Sequence, residues 1–209
     1  VSTEGKDIYE LAHEIAEIGL MEYGKPFGTL KFAERATEER KKLWKDLDIM
    51  PRAIDREIAT IMHMTHMGCT ADAEALVMQG MRASLSDGWG GSMMGTEFSD
   101  ILFGTPSPVE TEADLGVLEN DMVNIIIHGH DPAMSEMVVA ASNQSDMIEY
   151  AKSKGARGIN IAGLCCTANE ISMRHGVKMA GNFLQQEGAI LTGAVELIVV
   201  DVQCIFPSL

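Results

Sequence analysis

Basic residues are scarce in this chain. Sixteen Lys and Arg stand against 31 Asp and Glu, a formal net charge of −15. Nucleic acid and anionic membrane are bound by clustered Lys and Arg, so neither is expected as a partner, and the acidity reads as solubility. Long apolar runs are missing too. The Leu197–Phe206 stretch is broken by Asp201 and is far short of a membrane span. Residues 1–7 carry neither a basic segment nor an apolar one, so no secretory signal is expected, and with no initiator Met the natural start is expected upstream. There are four cysteines, two of them adjacent, Cys165 and Cys166, which cannot easily close on each other. A reduced, cytoplasmic setting is expected, with cysteine chemistry directed at metal rather than disulfides. Apolar residues at 46% supply a core for one large domain or two small ones. No internal repeat or low-complexity segment is evident.

The first half has helical spacing. Ile8, Leu11, Ile15 and Ile18 form one stripe, ended by Gly24 before Lys25-Pro26. A second helix is expected from about Thr29 to Asp46, charged on one face. Pro51 suits the first turn of a third, with Ile54, Ile58, Ile61 and Met62 on its stripe. Thr70 is the expected cap of a fourth, and a fifth, through Phe98 and Leu102, stops at Gly104. The glycine-rich run Asp87-Gly-Trp-Gly-Gly91 does not follow a strand, so it reads as tight packing rather than a phosphate loop.

Thr105-Pro-Ser-Pro-Val-Glu-Thr-Glu112 is rich in turn formers and marks a boundary. Beyond it the apolar period changes. Strands are expected at 123–128, 158–163 and 196–202, with helices at about 134–153, about 168–175 and near 182–192. The expected fold is α/β: a helical domain at 1–104, a linker at 105–121, and at 122–209 the first half of a Rossmann-like parallel sheet, βαβαβ. The last strand, Leu197-Ile-Val-Val200, is aliphatic on both faces and is expected to need neighbours to cover it.

Each expected strand runs into metal-capable side chains. His128-Gly-His-Asp-Pro132 follows the first, Cys165 and Cys166 the second, and Cys204 the third. Parallel strands deliver ligands beyond their carboxyl ends, so three such endings describe half of a metal site. Gly129 lets one histidine face the cleft while its neighbour turns away. Adjacent cysteines cannot both face one point, so one is the expected ligand and the other packs beside it. A thiolate there would also gain from the start of a helix. A separate pair, His63 and His66, has helical i, i+3 spacing on the third helix, with Cys69 close by. It is expected to be structural, the competing reading being a simpler soft-metal site.

The motifs His128-Gly-His-Asp-Pro132, Gly158-Ile-Asn-Ile-Ala-Gly-Leu-Cys-Cys-Thr-Ala-Asn-Glu170, Ala180-Gly-Asn-Phe-Leu-Gln-Gln-Glu187, Thr192-Gly-Ala-Val-Glu196 and Val200-Asp-Val-Gln-Cys-Ile-Phe-Pro207 resemble the anaerobic nickel–iron carbon monoxide dehydrogenases, catalytic subunit. Upstream, Pro51-Arg-Ala-Ile-Asp-Arg-Glu57, Thr65-His-Met-Gly68, Asp87-Gly-Trp-Gly-Gly-Ser-Met93 and Ser99-Asp-Ile-Leu-Phe-Gly-Thr-Pro106 resemble the same family. The likeness is continuous from Glu4 to Leu209. Hybrid-cluster proteins share the Gly-His-Asp element, but the cysteine motifs are closer to the dehydrogenases.

The resemblance implies an oxidoreductase that interconverts CO and CO2 with water, two protons and two electrons. It implies a nickel–iron–sulfur cluster held in part by His130, Cys166 and Cys204, with His128, Cys165, Asn169 and Glu170 as supporting groups. A ferredoxin-like electron carrier and a homodimer in the full-length form follow from the same resemblance. The family's cysteine-rich segment for further 4Fe-4S clusters, its proton-relay histidines and its remaining active-cluster cysteines have no counterpart here. Three ligands cannot hold the cluster, so the chain is expected to be a piece of a longer protein, inactive alone. The competing readings are a non-catalytic or truncated module of the same ancestry and a hybrid-cluster-like redox metalloprotein.

Overall fold

The computed structural model describes residues 1–201 and 203–206. The chain divides into two compact units, Val1–Leu102 and Phe103–Leu209.

The first unit is helical. Helix α1 (Ile8–Tyr23) starts from a capping box in which Asp7 accepts from Tyr9 and Glu10 N–H groups, and it ends at Gly24. The expected second helix is divided: residues Lys31–Arg35 form a 3₁₀ turn, and α2 (Glu38–Asp46) begins only after Thr37, whose hydroxyl caps it. Pro51 lies outside α3 (Ile54–Met64), its carbonyl accepting from Leu30 N–H. Helix α4 (Ala73–Ser86) is capped by Asp72, a stronger capping residue than the expected Thr70. The glycine run is a wide π turn over Asp87–Ser92 that leads into α5 (Met93–Phe103). A Cβ on Gly90 would lie 2.7 Å from Ile54 Cγ1, so this glycine is needed for close packing. Gly104, with φ +87°, follows the end of α5. The core gathers Leu30, Ala33, Trp44, Ile49, Ile54 and Met94, with Trp44 edge-on to Trp89 at 5.5 Å.

One buried charge is built into this unit. The Glu57 side chain is fully buried and accepts from Arg52 N (2.9 Å), Nε (2.7 Å) and Nη2 (2.6 Å) and from Gln79 Nε2 (2.9 Å). Burial alone would raise its pKa, but the hydrogen bonds from Arg52 and Gln79 and the guanidinium charge hold it below the ordinary value.

The second unit is a four-stranded, wholly parallel sheet of order β3-β2-β1-β4: β1 (Val123–His128), β2 (Ile159–Leu164), β3 (Lys178–Gly181) and β4 (Leu197–Val200). The expectation of three strands missed β3, a short edge strand of mixed polarity. Between β1 and β2 the expected long helix is two, α6 (Pro132–Ser142) and α7 (Ser145–Ser153), divided at Asn143-Gln144. Helix α8 (Cys165–His175) starts directly at the end of β2, three residues before its expected start. A 3₁₀ turn (Phe183–Gln185) leads into α9 (Gln186–Leu191). The last expected strand position, Val202, lies outside the described residues, as does Pro207.

Alternation along β1 covers both faces. Ile126 packs with Val117, Leu164 and Ala189 on one side, and Ile127 packs with Val139 of α6 and Ile171 of α8 on the other. At the lower end, buried Asn124 donates to the carbonyls of Glu119 (2.8 Å) and Ala194 (2.7 Å) and accepts from Glu119 N and Asn160 Nδ2. Edge strand β4 leaves Leu197 and Val200 exposed.

Substituting Glu57→Gln places an amide group where donors already converge, and is expected to cost about 2–3 kcal/mol. Because folding lowers the Glu57 pKa, its contribution is complete above the ordinary value of 4.5 and fades as pH falls through the lower folded value. Urea unfolding followed by tryptophan fluorescence checks this, since Trp44 and Trp89 both lie in this unit. The gap between native and variant midpoints is expected at pH 7 and to narrow at pH 3.

Candidate metal centre

The sheet register aligns the strand endings. His128, the last residue of β1, is paired with Leu164 of β2 on one side and with Val200 of β4 on the other. The chain therefore leaves three adjacent strands at the same level, through Gly129-His130, Cys165-Cys166 and Asp201 to Cys204.

The loop after β1 is held from both sides. Gly129 has φ +132°, and a Cβ there would lie 1.5 Å from Asp201 Oδ1. The Asp201 carboxylate accepts from the main-chain N–H of His130 at 2.6 Å and of Asp131 at 2.7 Å. From α8, Thr167 N–H donates to Gly129 O at 3.0 Å. Asp131 then caps α6 through Ala133 N–H, with Pro132 opening the helix.

His130 Nε2 lies 4.0 Å from Cys204 Sγ, and His130 Nδ1 is a buried atom with no hydrogen-bond partner. Cys165 is buried, while Cys166 and Cys204 are exposed. Burial pushes the Cys165 thiol up to about 12, reinforced by the charges of Cys204 and Cys166, a hydrogen bond with Cys204 and the Asp201 carboxylate. Desolvation also raises the Cys166 thiol, followed by Cys204 and Glu170. Three sulfurs and a carboxylate thus crowd one edge, and the two thiols at the start of α8, Cys165 and Cys166, are harder to ionise for it. A bound metal cation reverses that balance, because a coordinating thiol is deprotonated by the metal's charge.

Backbone strain collects at the same edge. Among the described residues the non-glycine positions with positive φ are Asp48, Cys165 (+65°), Gln203 (+67°) and Cys204 (+57°). Such positions persist only where the surroundings over-determine them, and they cluster at functional sites.

Gln186 ties the Cys204 segment back to the sheet. Fully buried at the start of α9, it donates to Phe183 O (2.6 Å) and Cys204 O (3.2 Å) and accepts from Phe206 N–H (3.1 Å). Its Oε1 also faces His128 Nε2 at 3.1 Å. A carboxamide oxygen can only accept, so His128 carries a proton on Nε2. The His128 ring is therefore engaged with Gln186, and its buried Nδ1 has no partner.

The other sequence-predicted groups fall into place around α8. Asn169 Nδ2 donates to Cys165 O at 3.5 Å. Glu170 is paired with Arg174 at 2.8 Å, and Arg174 also reaches Glu136 at 3.1 Å, which in turn meets His175 at 2.5 Å. His63 and His66 do not share a helix: α3 ends at Met64, and His66 and Cys69 lie in the exposed turns beyond it.

Among the described residues no three His, Cys, Asp or Glu side chains surround one point closely enough to hold a single metal ion. A cluster poses a different demand, since its ligands bind separate metal atoms. The donor set here, an imidazole and thiols from adjacent strand ends, is of the soft and intermediate type that iron–sulfur and nickel centres take. Sequence reading overlooked Asp201 and Gln186. An acidic residue interrupting an aliphatic run was a usable signal for the first; one of two adjacent glutamines in a polar segment offered none for the second.

The whole chain, residues 1–209, matches the Prismane/CO dehydrogenase family. It is 55% identical over 209 residues to carbon monoxide dehydrogenase 1 of Methanosarcina mazei, covering 100% of this chain and 33% of that one. To carbon monoxide dehydrogenase 1 of Carboxydothermus hydrogenoformans it is 46% identical over 211 residues, covering 98% and 32%. Its fold is similar to a nickel-free carbon monoxide dehydrogenase structure from Thermococcus sp. AM4, with TM-score 0.81 and 52% identity over 100% of this chain and 33% of that one. The chain thus spans about a third of the length of the relatives it matches. With every residue of it inside the match, the chain belongs to the Prismane/CO dehydrogenase family.

Proposed function

We propose that this chain is the central portion of a carbon monoxide dehydrogenase catalytic subunit, and that His130, Cys166 and Cys204 are its ligands to a nickel–iron–sulfur cluster. The observation that carries this reading is the meeting of His130 and Cys204, 4.0 Å apart in space and 74 residues apart in sequence. Family membership and the identity to named dehydrogenases support it.

When bound, the cluster supplies a metal site for CO and a store for electrons. The chain's own part is to present soft sulfur donors and one imidazole on rigid strand ends. Cys165 packs beside the ligands as a hydrogen-bonded sulfur, and His128, Asn169 and Glu170 orient the surrounding segments. The substrates are CO and water in one direction and CO2 in the other, with two protons and two electrons exchanged. The electron partner is a carrier of the ferredoxin type, and the full-length protein works as a homodimer. The remaining cluster ligands and any further 4Fe-4S clusters belong to segments other than this one, so the 209 residues alone are inactive. The sheet is the first half of a Rossmann-like domain, a reading supported by its β3-β2-β1-β4 order. A cytoplasmic setting is supported by the thiols of Cys69, Cys165, Cys166 and Cys204, all free.

Replacing Cys204 by Ala in the full-length protein, isolated anaerobically with its metals, is expected to remove the nickel and the iron of this one cluster while leaving the iron of any further 4Fe-4S clusters in place. Unchanged iron content would sink the assignment.

The raised thiols give a second check on the metal-free chain. At pH 8 Cys165 is expected to alkylate with iodoacetamide on the order of a hundredfold more slowly than an ordinary exposed thiol, after allowing for the greater nucleophilicity of a more basic thiolate. Mass spectrometry of tryptic peptides, with exposed Cys69 as internal reference, measures the ratio. Equal rates would show that the sulfur crowding is absent.

A further inference from the structure

At the turn after β1 a carboxylate fills the place that a phosphate takes at many strand–helix junctions. The N–H groups of His130 and Asp131 stand at the entry to α6, and main-chain N–H groups at a helix start form an anion seat. Asp201 occupies that seat with both oxygens, at 2.6 and 2.7 Å. Its own N–H donates to His128 O at 3.2 Å, so main chain and side chain together fix it to the end of β1. Glycine at 129 is what allows the approach, since a Cβ there would meet Asp201 Oδ1 at 1.5 Å.

Two consequences follow. The main chain around His130 is held by the Asp201 carboxylate and, through Gly129 O, by Thr167 N–H, so only side-chain torsions remain to aim the imidazole. The same Asp201 begins the segment that carries Cys204 three residues on, which Gln186 fixes at its far side through Cys204 O. One carboxylate therefore joins the loop bearing the nitrogen donor to the segment bearing the sulfur donor.

We propose that Asp201 is a positioning residue for the metal group: by binding the N–H groups of His130 and Asp131, it sets the distance and direction between His130 and Cys204. It rests on the reading of those two residues as ligands. Asp201 contacts no metal in this role and acts only through the two donors. Its loss leaves the strands and the cysteines in place and frees the imidazole from its aim.

The test uses the full-length protein isolated anaerobically with its metals, unsubstituted and as Asp201→Ala, Asp201→Asn and His130→Ala. Pulsed EPR reads the nitrogen coupling of an imidazole bound to the paramagnetic cluster, metal analysis gives iron per chain, and circular dichroism reports folding. His130→Ala is expected to abolish the coupling. Asp201→Ala is expected to lose it as well while keeping part of the thiolate-bound iron and its absorption. Asp201→Asn keeps one oxygen to accept from a main-chain N–H, so it is expected to retain a weakened coupling. A coupling in Asp201→Ala equal to that of the unsubstituted protein overturns the positioning role and leaves the ligand assignment standing. An unchanged coupling in His130→Ala overturns the ligand assignment, and the positioning role with it. If Asp201→Ala does not fold, Asp201→Asn decides: a reduced coupling supports the role and a native one refutes it.

Discussion

The parallel register of β1 with both its neighbours is the constraint on which the second unit depends. His128 opposite Leu164 and Val200 brings three chain exits to one level. A slip of one residue in either pairing would turn every side chain of that strand to the other face. That slip is resisted because Ile126 and Ile127 are both fully buried, on opposite faces. The aliphatic core of the sheet thus sets the geometry of the polar edge. The strands bring the donor-bearing segments to that edge, where Asp201 holds the His130 loop and Gln186 the Cys204 segment.

Placing so many acidic groups together works against the metal-free chain. The Cys165 thiol is raised to about 12 by burial and by its neighbours, and Cys165, Gln203 and Cys204 all hold left-handed backbone conformations. Asp201 adds a further negative charge, although its carboxylate is stabilised by two main-chain N–H groups. These features impose costs in the protein alone that a cationic group would offset. The first unit handles its own buried charge differently, surrounding Glu57 with fixed donors from Arg52 and Gln79.

The alternation from helical spacing to aliphatic strands is visible in the sequence, and so is the placement of His130, Cys165, Cys166 and Cys204 at strand ends. What escaped notice follows from physics that a local reading does not contain. Strand β3 is four residues long, has Lys178 exposed, and is held by pairing with β2 rather than by its own pattern. The split between α6 and α7 and the replacement of Thr70 by Asp72 as a cap are local competitions with similar candidates close by. Asp201 and Gln186 act on residues far away in sequence, His130 at a separation of 71 and His128 at 58. Their roles become legible only when the sheet order is known. His63 and His66 show the opposite case, a spacing suited to one helix face in a segment where the helix stops between them.

The most direct measurement is an anomalous-difference map, collected at the iron edge, from crystals of the metal-loaded protein. Anomalous density bonded to the His130 imidazole and to the Cys204 sulfur, at the shared end of β1 and β4, is the predicted result. Density lying elsewhere, with both side chains uncoordinated, would contradict the assignment of this strand edge as a metal seat.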